Sequence, residues 1–262
     1  MPKPLVVIPM FLGEDGDVEV VMDCVRSIRS TVSESVDVLV VDDHSPAQDL
    51  VDAIAPGLER YEVELHRKPD NTGFSKTVNV GLGRALDEGR DAVLMNADME
   101  MTTPGWAKIC QRAGTVEGPA GVVGALLLYP TGLIQHAGIY FSLLTRTFDH
   151  MFKYGPGNLP DAYLPRVCPV TGAFQYIRHG ILEKVGIYDE NFYMAHEDVD
   201  YCVRVFLAGE QCLYEPKVRA YHAEAMFRGR PSPKVQEWHQ KSWIYFAEKW
   251  ANQNFNGMVP FV

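Results

Sequence analysis

Apolar residues along this chain come first in short unbroken runs and then at helical intervals, and the two patterns alternate. "PLVVIP" near the start is one such run, and Val18, Val21, Met22, Val25 and Ile28 then recur at helical spacing. "VDVLVV" is a second run that stops abruptly in "DDHSP", and a weaker helical pattern over residues 47–58 leads into "YEVELHR". "NTGF" opens a helix through Val78, Leu82 and Leu86, and "DAVLMN" is a further strand ending in "ADME". Apolar strands alternating with helices predict an α/β fold with a mostly parallel central sheet flanked by helices on both faces. The second half is less regular. "AGVVGALLLYPTG" reads as a strand and turn, and residues 139–168 as irregular or short antiparallel pieces. Val199, Cys202, Val203, Phe206 and Leu207 mark a helix that Gly209 stops, and "VRAYH" closes a strand-like run. "PKVQEWHQKSWIYFAEKW" predicts a last helix whose aromatic face, from Trp238, Trp243, Phe246 and Trp250, docks onto the body.

Polar residues sit where the strands stop. In parallel sheets ligands bind beyond the carboxyl ends of the strands. Asp42 and Asp43 follow one strand there, and Asn96 and Asp98 another. A single acid at such a place is often a helix cap, whereas two strands delivering acids to one edge point to a site. "HEDVD" adds Glu197, Asp198 and Asp200 ahead of the helical pattern that begins at Val199. Acids in a first turn satisfy orphan N–H groups and suit the helix dipole. Capping accounts for one or two of them, and three beside a histidine exceed it. "GLGRAL" lies inside a helix and lacks a third glycine, so it is no dinucleotide fingerprint.

Composition narrows the classes. A chain of 262 residues with 47% hydrophobic and 22% charged residues is that of an ordinary globular protein. Its net charge of −10 argues against non-specific nucleic-acid binding. The five cysteines are scattered with no C-x-x-C pair, which predicts buried free thiols in a reducing compartment. "LVVIPMFL" is too short to span a bilayer and is followed by acids, so neither a signal peptide nor a membrane span is expected, and the expected location is cytoplasmic.

Taken together, "VVIPM…VLVVDDHSP…DNTGFSKTVNVGLGRAL…DAVLMNADME…GW" resembles the nucleotide-sugar-binding half of family 2 glycosyltransferases, which have the GT-A fold. "IQHAGIYF…DHMF…PVTGAFQYIRHGILEKVGIYDENFYMAHEDVDYCVRVFLAG…YEPKVRAYH" resembles the acceptor half, and in particular the rhamnosyltransferase-like branch of cell-surface polysaccharide synthesis. The resemblance runs from Leu5 to His222. It implies one catalytic domain over 1–227, with a nucleotide-sugar half to about 118 and an acceptor half beyond it. A C-terminal loop and helix, 228–262, would pack on that domain.

By that resemblance Pro9 and Asp42 or Asp43 contact the nucleoside, and Asn71, Gly73 and Asn79 lie along the nucleotide. "NAD" stands where a D-x-D motif is expected, with Asn96 in place of the first acid. Asp98 is then the ligand of a divalent metal, Mn²⁺ or Mg²⁺, and His222 matches the late histidine that completes the metal site. Asp198 aligns with the catalytic base and Glu197 with a residue that positions the acceptor, while Asp200 caps or binds a structural partner. Thr171 and Gly172 fall near the donor sugar. Arg228, with Arg230 and Lys234, is expected in a loop that orders over the diphosphate, or in a plain connector. His136 and His150 fit the branch pattern or the core equally well. The implied reaction is inverting transfer from a nucleoside-diphosphate sugar to a carbohydrate or glycoconjugate hydroxyl, with peripheral membrane contact left open. A nucleotidyltransferase would begin with a basic glycine-rich loop, and "IPMFLGEDGD" is acidic. The other alternative is a sugar-nucleotide-binding domain without catalysis.

Overall fold

The computed structural model describes residues 2–13, 16–32, 35–116, 118–223 and 233–261, without the side chain of Lys234. The first half winds as β1 (Leu5–Met10), α1 (Asp17–Thr31), β2 (Asp37–Asp42), α2 (Gln48–Arg60), β3 (Val63–Arg67), α3 (Phe74–Asp87) and β4 (Ala92–Met95). β5 (Met99–Met101), α4 (Trp106–Arg112) and a small ribbon of β6 (Gly114–Thr115) and β7 (Gly118–Pro119) follow. The second half has β8 (Val122–Leu128), β9 (Ile134–His136), β10 (Ile139–Ser142), β11 (Thr147–His150) and β12 (Arg166–Val167). It ends with β13 (Phe174–Ile177), α5 (His179–Val185), α6 (Glu197–Leu207), β14 (Cys212–His222) and α7 (Pro233–Lys249).

Ten strands form one sheet in the order β12, β14, β8, β13, β4, β1, β2, β3, with β5 on β14 and β9 on β8. β4, β1, β2 and β3 are mutually parallel, as are β14 and β8, and β13 runs antiparallel between the two groups. Alternate residues feed opposite faces. Val6 and Ile8 join Val25, Ile28 and Trp106 on one side, while Leu5 and Val7 join Val78, Leu82 and Tyr201 on the other. The fit of α3 to β1 is close. A Cβ on Gly81 would lie 2.4 Å from Val7 Cγ2, so the glycine lets the helix sit directly on the strand.

The expected elements of the first half are present. β5, α4 and α5 have no counterpart in the pattern reading. They are three to seven residues long, too short for a period to register. α6 begins at Glu197, two residues before the apolar pattern, because its first turn is acidic. α7 buries Phe246 against Ile139, Phe192, Val199 and Val203, which joins it to α6 and to β10. Lys234 lies within α7 rather than in a loop, and the expected loop residues Arg228 and Arg230 fall outside the described residues. All five cysteines are buried and free.

Candidate active site

A cleft of about 550 Å³ opens over the carboxyl ends of β1, β2 and β4. Register explains its most distinctive corner. β4 stops at Met95, the chain steps through residues 96–98, and β5 then pairs antiparallel with the end of β14, Met99 opposite His222. Asp98 therefore arrives beside His222. Its carbonyl accepts the Ala223 N–H at 3.0 Å, and its Oδ1 stands 3.1 Å from His222 Nε2, both side chains being 8% exposed.

The second histidine nitrogen, Nδ1, lies 2.6 Å from Gln135 Oε1. An amide oxygen only accepts, so Nδ1 donates to it, and Nε2 faces Asp98 Oδ1. Asn96 Nδ2 is 3.3 Å from the same nitrogen, and Asn96 Oδ1 is buried without a hydrogen-bond partner. A carboxylate, an imidazole and a spare amide oxygen suit a divalent metal, and the imidazole favours Mn²⁺ over Mg²⁺. Among the described residues no three His, Cys, Asp or Glu side chains converge on one point. A metal held here would draw its remaining ligands from a bound molecule.

Asp198 lines the same cleft from the second position of α6. Its Oδ1 accepts its neighbour Val199 N–H at 2.8 Å, and its Oδ2 accepts Gly172 N–H at 2.9 Å. One donor per oxygen fixes the carboxylate and leaves each oxygen a lone pair. Gly172 itself is confined, since a Cβ there would stand 3.2 Å from Asp198 Cβ. Glu197, buried, also lines the cleft, together with Thr171 and Pro9. Ala195 and His196, which lead into α6, have φ of 70° and 67°, a left-handed conformation uncommon outside glycine and asparagine. Burial keeps His196 below the usual imidazole range. The negative charge of Asp198 opposes that shift, and His239 adds to it.

Asp200, the third acid, faces away from the cleft. Fully buried, it accepts Arg204 Nε at 3.0 Å and Trp250 Nε1 at 3.0 Å, and it pairs with Lys249 Nζ at 2.7 Å. It anchors α7 on α6, the structural partner expected for it.

Two residues expected at the nucleotide, Asp42 and Asn79, do not line the cleft. Asp42 is buried away from the cleft, where its Oδ1 accepts Ser45 N–H at 3.0 Å and the Ser45 hydroxyl, and Arg67 stands 3.4 Å from Oδ2. As the last residue of β2, it turns to the face opposite that of Asp43. Asn79 spends its amide on the chain before α6: Nδ2 donates to Tyr188 O at 2.9 Å and Glu190 Oε1 at 3.1 Å, and Oδ1 accepts Tyr188 N–H at 2.9 Å. It fastens α3 to that segment.

Asp43, Asn71 and Gly73 do line the cleft. Asp43 accepts Thr72 N–H and Gly73 N–H, both at 2.9 Å, so it shapes the turn before α3. Lys68, almost wholly buried, supports it with Nζ 2.6 Å from Asp43 Oδ1 and 2.9 Å from Thr77 Oγ1. Gly73 has φ +89°, and a Cβ there would stand 2.8 Å from Tyr193 O. Lys68, Gln135 and Tyr193 were not singled out by sequence, and Trp238 was expected on the docking face of the last helix rather than in the cleft. A lone lysine or tyrosine carries no spacing signal, and Gln135 stands out only beside His222. His150 lines the cleft, whereas His136 is fully buried in the core behind it.

This architecture is the GT-A glycosyltransferase fold. It superposes on the crystal structure of GalNAc-T7 with UDP, GalNAc and Mn²⁺ with a TM-score of 0.64 at 14% identity, over 94% of this chain and 49% of that one. It matches the mannosyltransferase PcManGT from Pyrobaculum calidifontis, in complex with GDP-Man and Mn²⁺, with a TM-score of 0.61 at 14% identity over 99% of this chain and 66% of that one. The chain belongs to glycosyl transferase family 2, whose profile matches residues 5–184. An uncharacterized protein, y4gI, of Sinorhizobium fredii is 28% identical over 86% of this chain and 25% of its own length. The N-acetylglucosaminyl-diphospho-decaprenol L-rhamnosyltransferase of Mycobacterium tuberculosis is 26% identical over 73% of this chain and 69% of its own. The O-antigen biosynthesis protein RfbC of Myxococcus xanthus is 28% identical over 57% of this chain and 12% of its own length. The chain therefore spans a quarter or less of y4gI and RfbC.

Proposed function

We propose that this chain moves a sugar, a deoxyhexose such as rhamnose, from a nucleoside-diphosphate sugar to an acceptor hydroxyl with inversion, in the synthesis of a surface polysaccharide or glycoconjugate. The observation that carries this reading is the shared cleft. The Asp98 and His222 corner and a fixed Asp198 carboxylate both line it. The names of the rhamnosyltransferase relatives support the choice of sugar.

Asp198 takes the proton of the acceptor hydroxyl as its oxygen attacks the anomeric carbon, and the bond to the nucleoside diphosphate breaks on the opposite side. The proton ends on Asp198. Its two backbone N–H bonds hold the carboxylate in place, so no reorientation is needed during the step. Glu197 orients the acceptor, while Pro9, Asp43, Asn71 and Gly73 bound the nucleotide's part of the cleft. Asp98, His222 and the Asn96 amide oxygen would hold a divalent metal, Mn²⁺ or Mg²⁺, which when bound neutralises charge on the departing diphosphate.

No helix among the described residues is long and apolar enough to cross a membrane. The test is release of free nucleoside diphosphate from a panel of sugar nucleotides, with a lipid-linked N-acetylglucosaminyl diphosphate as acceptor. Acceptor-dependent release that chelator suppresses is the expected result. No release from any donor, together with no thermal shift by any nucleoside diphosphate, would overturn the reading.

A further inference from the structure

We infer that Trp238, supplied by α7, stacks on the nucleobase of the donor and with Tyr193 closes the nucleoside end of the cleft. This rests on the glycosyl-transfer reading above. It concerns a helix beyond residues 5–184, the part of the chain that matches the family.

Strand order sets the direction in which a donor lies. Asp198 is bonded to Gly172, just ahead of β13, and β13 is the neighbour of β4, after which Asp98 follows. Asp43 comes at the end of β2, two strands beyond β4 on the side away from β13. At ~4.8 Å per strand, that is about 10 Å from the end of β4. A donor with its anomeric carbon toward Asp198 and its diphosphate at Asp98 and His222 therefore extends its nucleoside toward Asp43 and the turn at residues 71–73.

The wall there is aromatic. The rings of Tyr193 and Trp238 have centroids 4.3 Å apart at 32°, and both residues line the cleft. Tyr193 is held firmly. Its hydroxyl donates to Asn71 Oδ1 at 2.6 Å, and its carbonyl accepts Phe74 N–H at 3.0 Å. Gly73 permits that approach, because a Cβ would stand 2.9 Å from Tyr193 Cδ2. Trp238 is half-buried, while the anchoring of α7 rests further along, on Phe246 and Lys249. A flat π surface beside the predicted nucleoside path, and away from the anchors, suits a base.

The test titrates UDP, dTDP and GDP, each with Mn²⁺, into the wild-type chain, Trp238→Ala and Trp238→Phe by calorimetry, with inorganic pyrophosphate and Mn²⁺ as the base-free control. Trp238→Ala is expected to weaken the best nucleotide about ten- to hundredfold, the range of one base–aromatic stack. Trp238→Phe should stay within about threefold, and pyrophosphate should bind the wild-type chain and Trp238→Ala alike. Unchanged nucleotide affinity in Trp238→Ala overturns the inference alone, and a raised acceptor KM would then move the residue to the acceptor wall. Equal losses for nucleotide and pyrophosphate overturn it as well, since the effect would then be general disruption. If the wild-type chain binds no nucleotide at all, the glycosyl-transfer reading falls first and this inference with it.

Discussion

Asp198 holds one backbone N–H on each carboxylate oxygen, and that arrangement separates its two roles. Structurally it ties the start of α6 to Gly172, and chemically it offers the remaining lone pairs to the cleft. Asp198→Asn keeps one accepting oxygen and the side-chain volume, so the fold should survive with nucleotide affinity intact. Turnover should fall ~10²- to 10⁴-fold, the usual share of general-base catalysis. Steady-state release of nucleoside diphosphate checks this. Glu197→Gln should cost less if that residue only orients the acceptor. Near-normal turnover in Asp198→Asn with none in Glu197→Gln would exchange the two roles. Asp200, a residue for which sequence expected capping or a structural partner, belongs to the packing of α7.

At the scale of elements, α7 stays docked through an ion-pair cluster as much as through aromatic packing. Lys249 Nζ lies 2.6 Å from Asp189 Oδ2 and 2.7 Å from Asp200 Oδ1, and the Tyr245 hydroxyl donates to Asp189 at 2.9 Å. Burial works against the charge on Asp189, but bonds from Lys249, Asn191 and Tyr245 outweigh it and hold the carboxyl well below its usual range. Lys249→Met keeps the apolar stem and takes a cation from both acids, leaving Asp200 with Arg204 and Trp250 and Asp189 with Tyr245 and Asn191. Removing one partner of a buried pair costs ~3–5 kcal/mol, and the 23% exposure of the Lys249 side chain puts this case near the lower end. A Tm lowered by about 6–12 °C is expected in thermal unfolding at neutral pH. An unchanged Tm would mean that the aromatic face alone holds the helix.

For the whole molecule, the buried histidines add to acid sensitivity. His136 is fully buried with its Nε2 accepting Gly138 N–H at 3.3 Å. Burial pulls its protonation well below the ordinary range, and the charges of His150 and His222 add to that. The unfolded chain protonates the same side chain near about pH 6.5, so below that point it binds more protons than the fold does. Stability is then fully present above pH ~6.5 and declines as pH falls toward the lowered folded value, by ~1.4 kcal/mol per pH unit for this residue. His196 acts in the same direction. His136→Gln should lower stability at pH 7.5 and flatten the acid slope between pH 6.5 and 5 in urea unfolding. An acid slope identical to that of the wild-type chain would place that sensitivity elsewhere.

The order of strands and helices through α3 and β4 was legible in the sequence, because a strand buried on both faces must be apolar throughout and a surface helix must repeat its apolar stripe. The clustering of acids at strand ends, and the buried state of the cysteines, followed from the same local rules. What no local rule contains is which acid turns toward the cleft. Asp42 and Asp43 differ by a single step along an extended chain, and the alternation of side chains sends them to opposite faces. Asn79 fits a nucleotide-binding spacing, yet its amide is spent on Tyr188 and Glu190, more than a hundred residues away. The meeting of Asp98 with His222 likewise depends on the pairing of β5, three residues long, with the end of β14. Sequence determined the elements and the chemistry present at their ends. Long-range hydrogen bonding and strand register, which have no local period, decided which of those groups share one site.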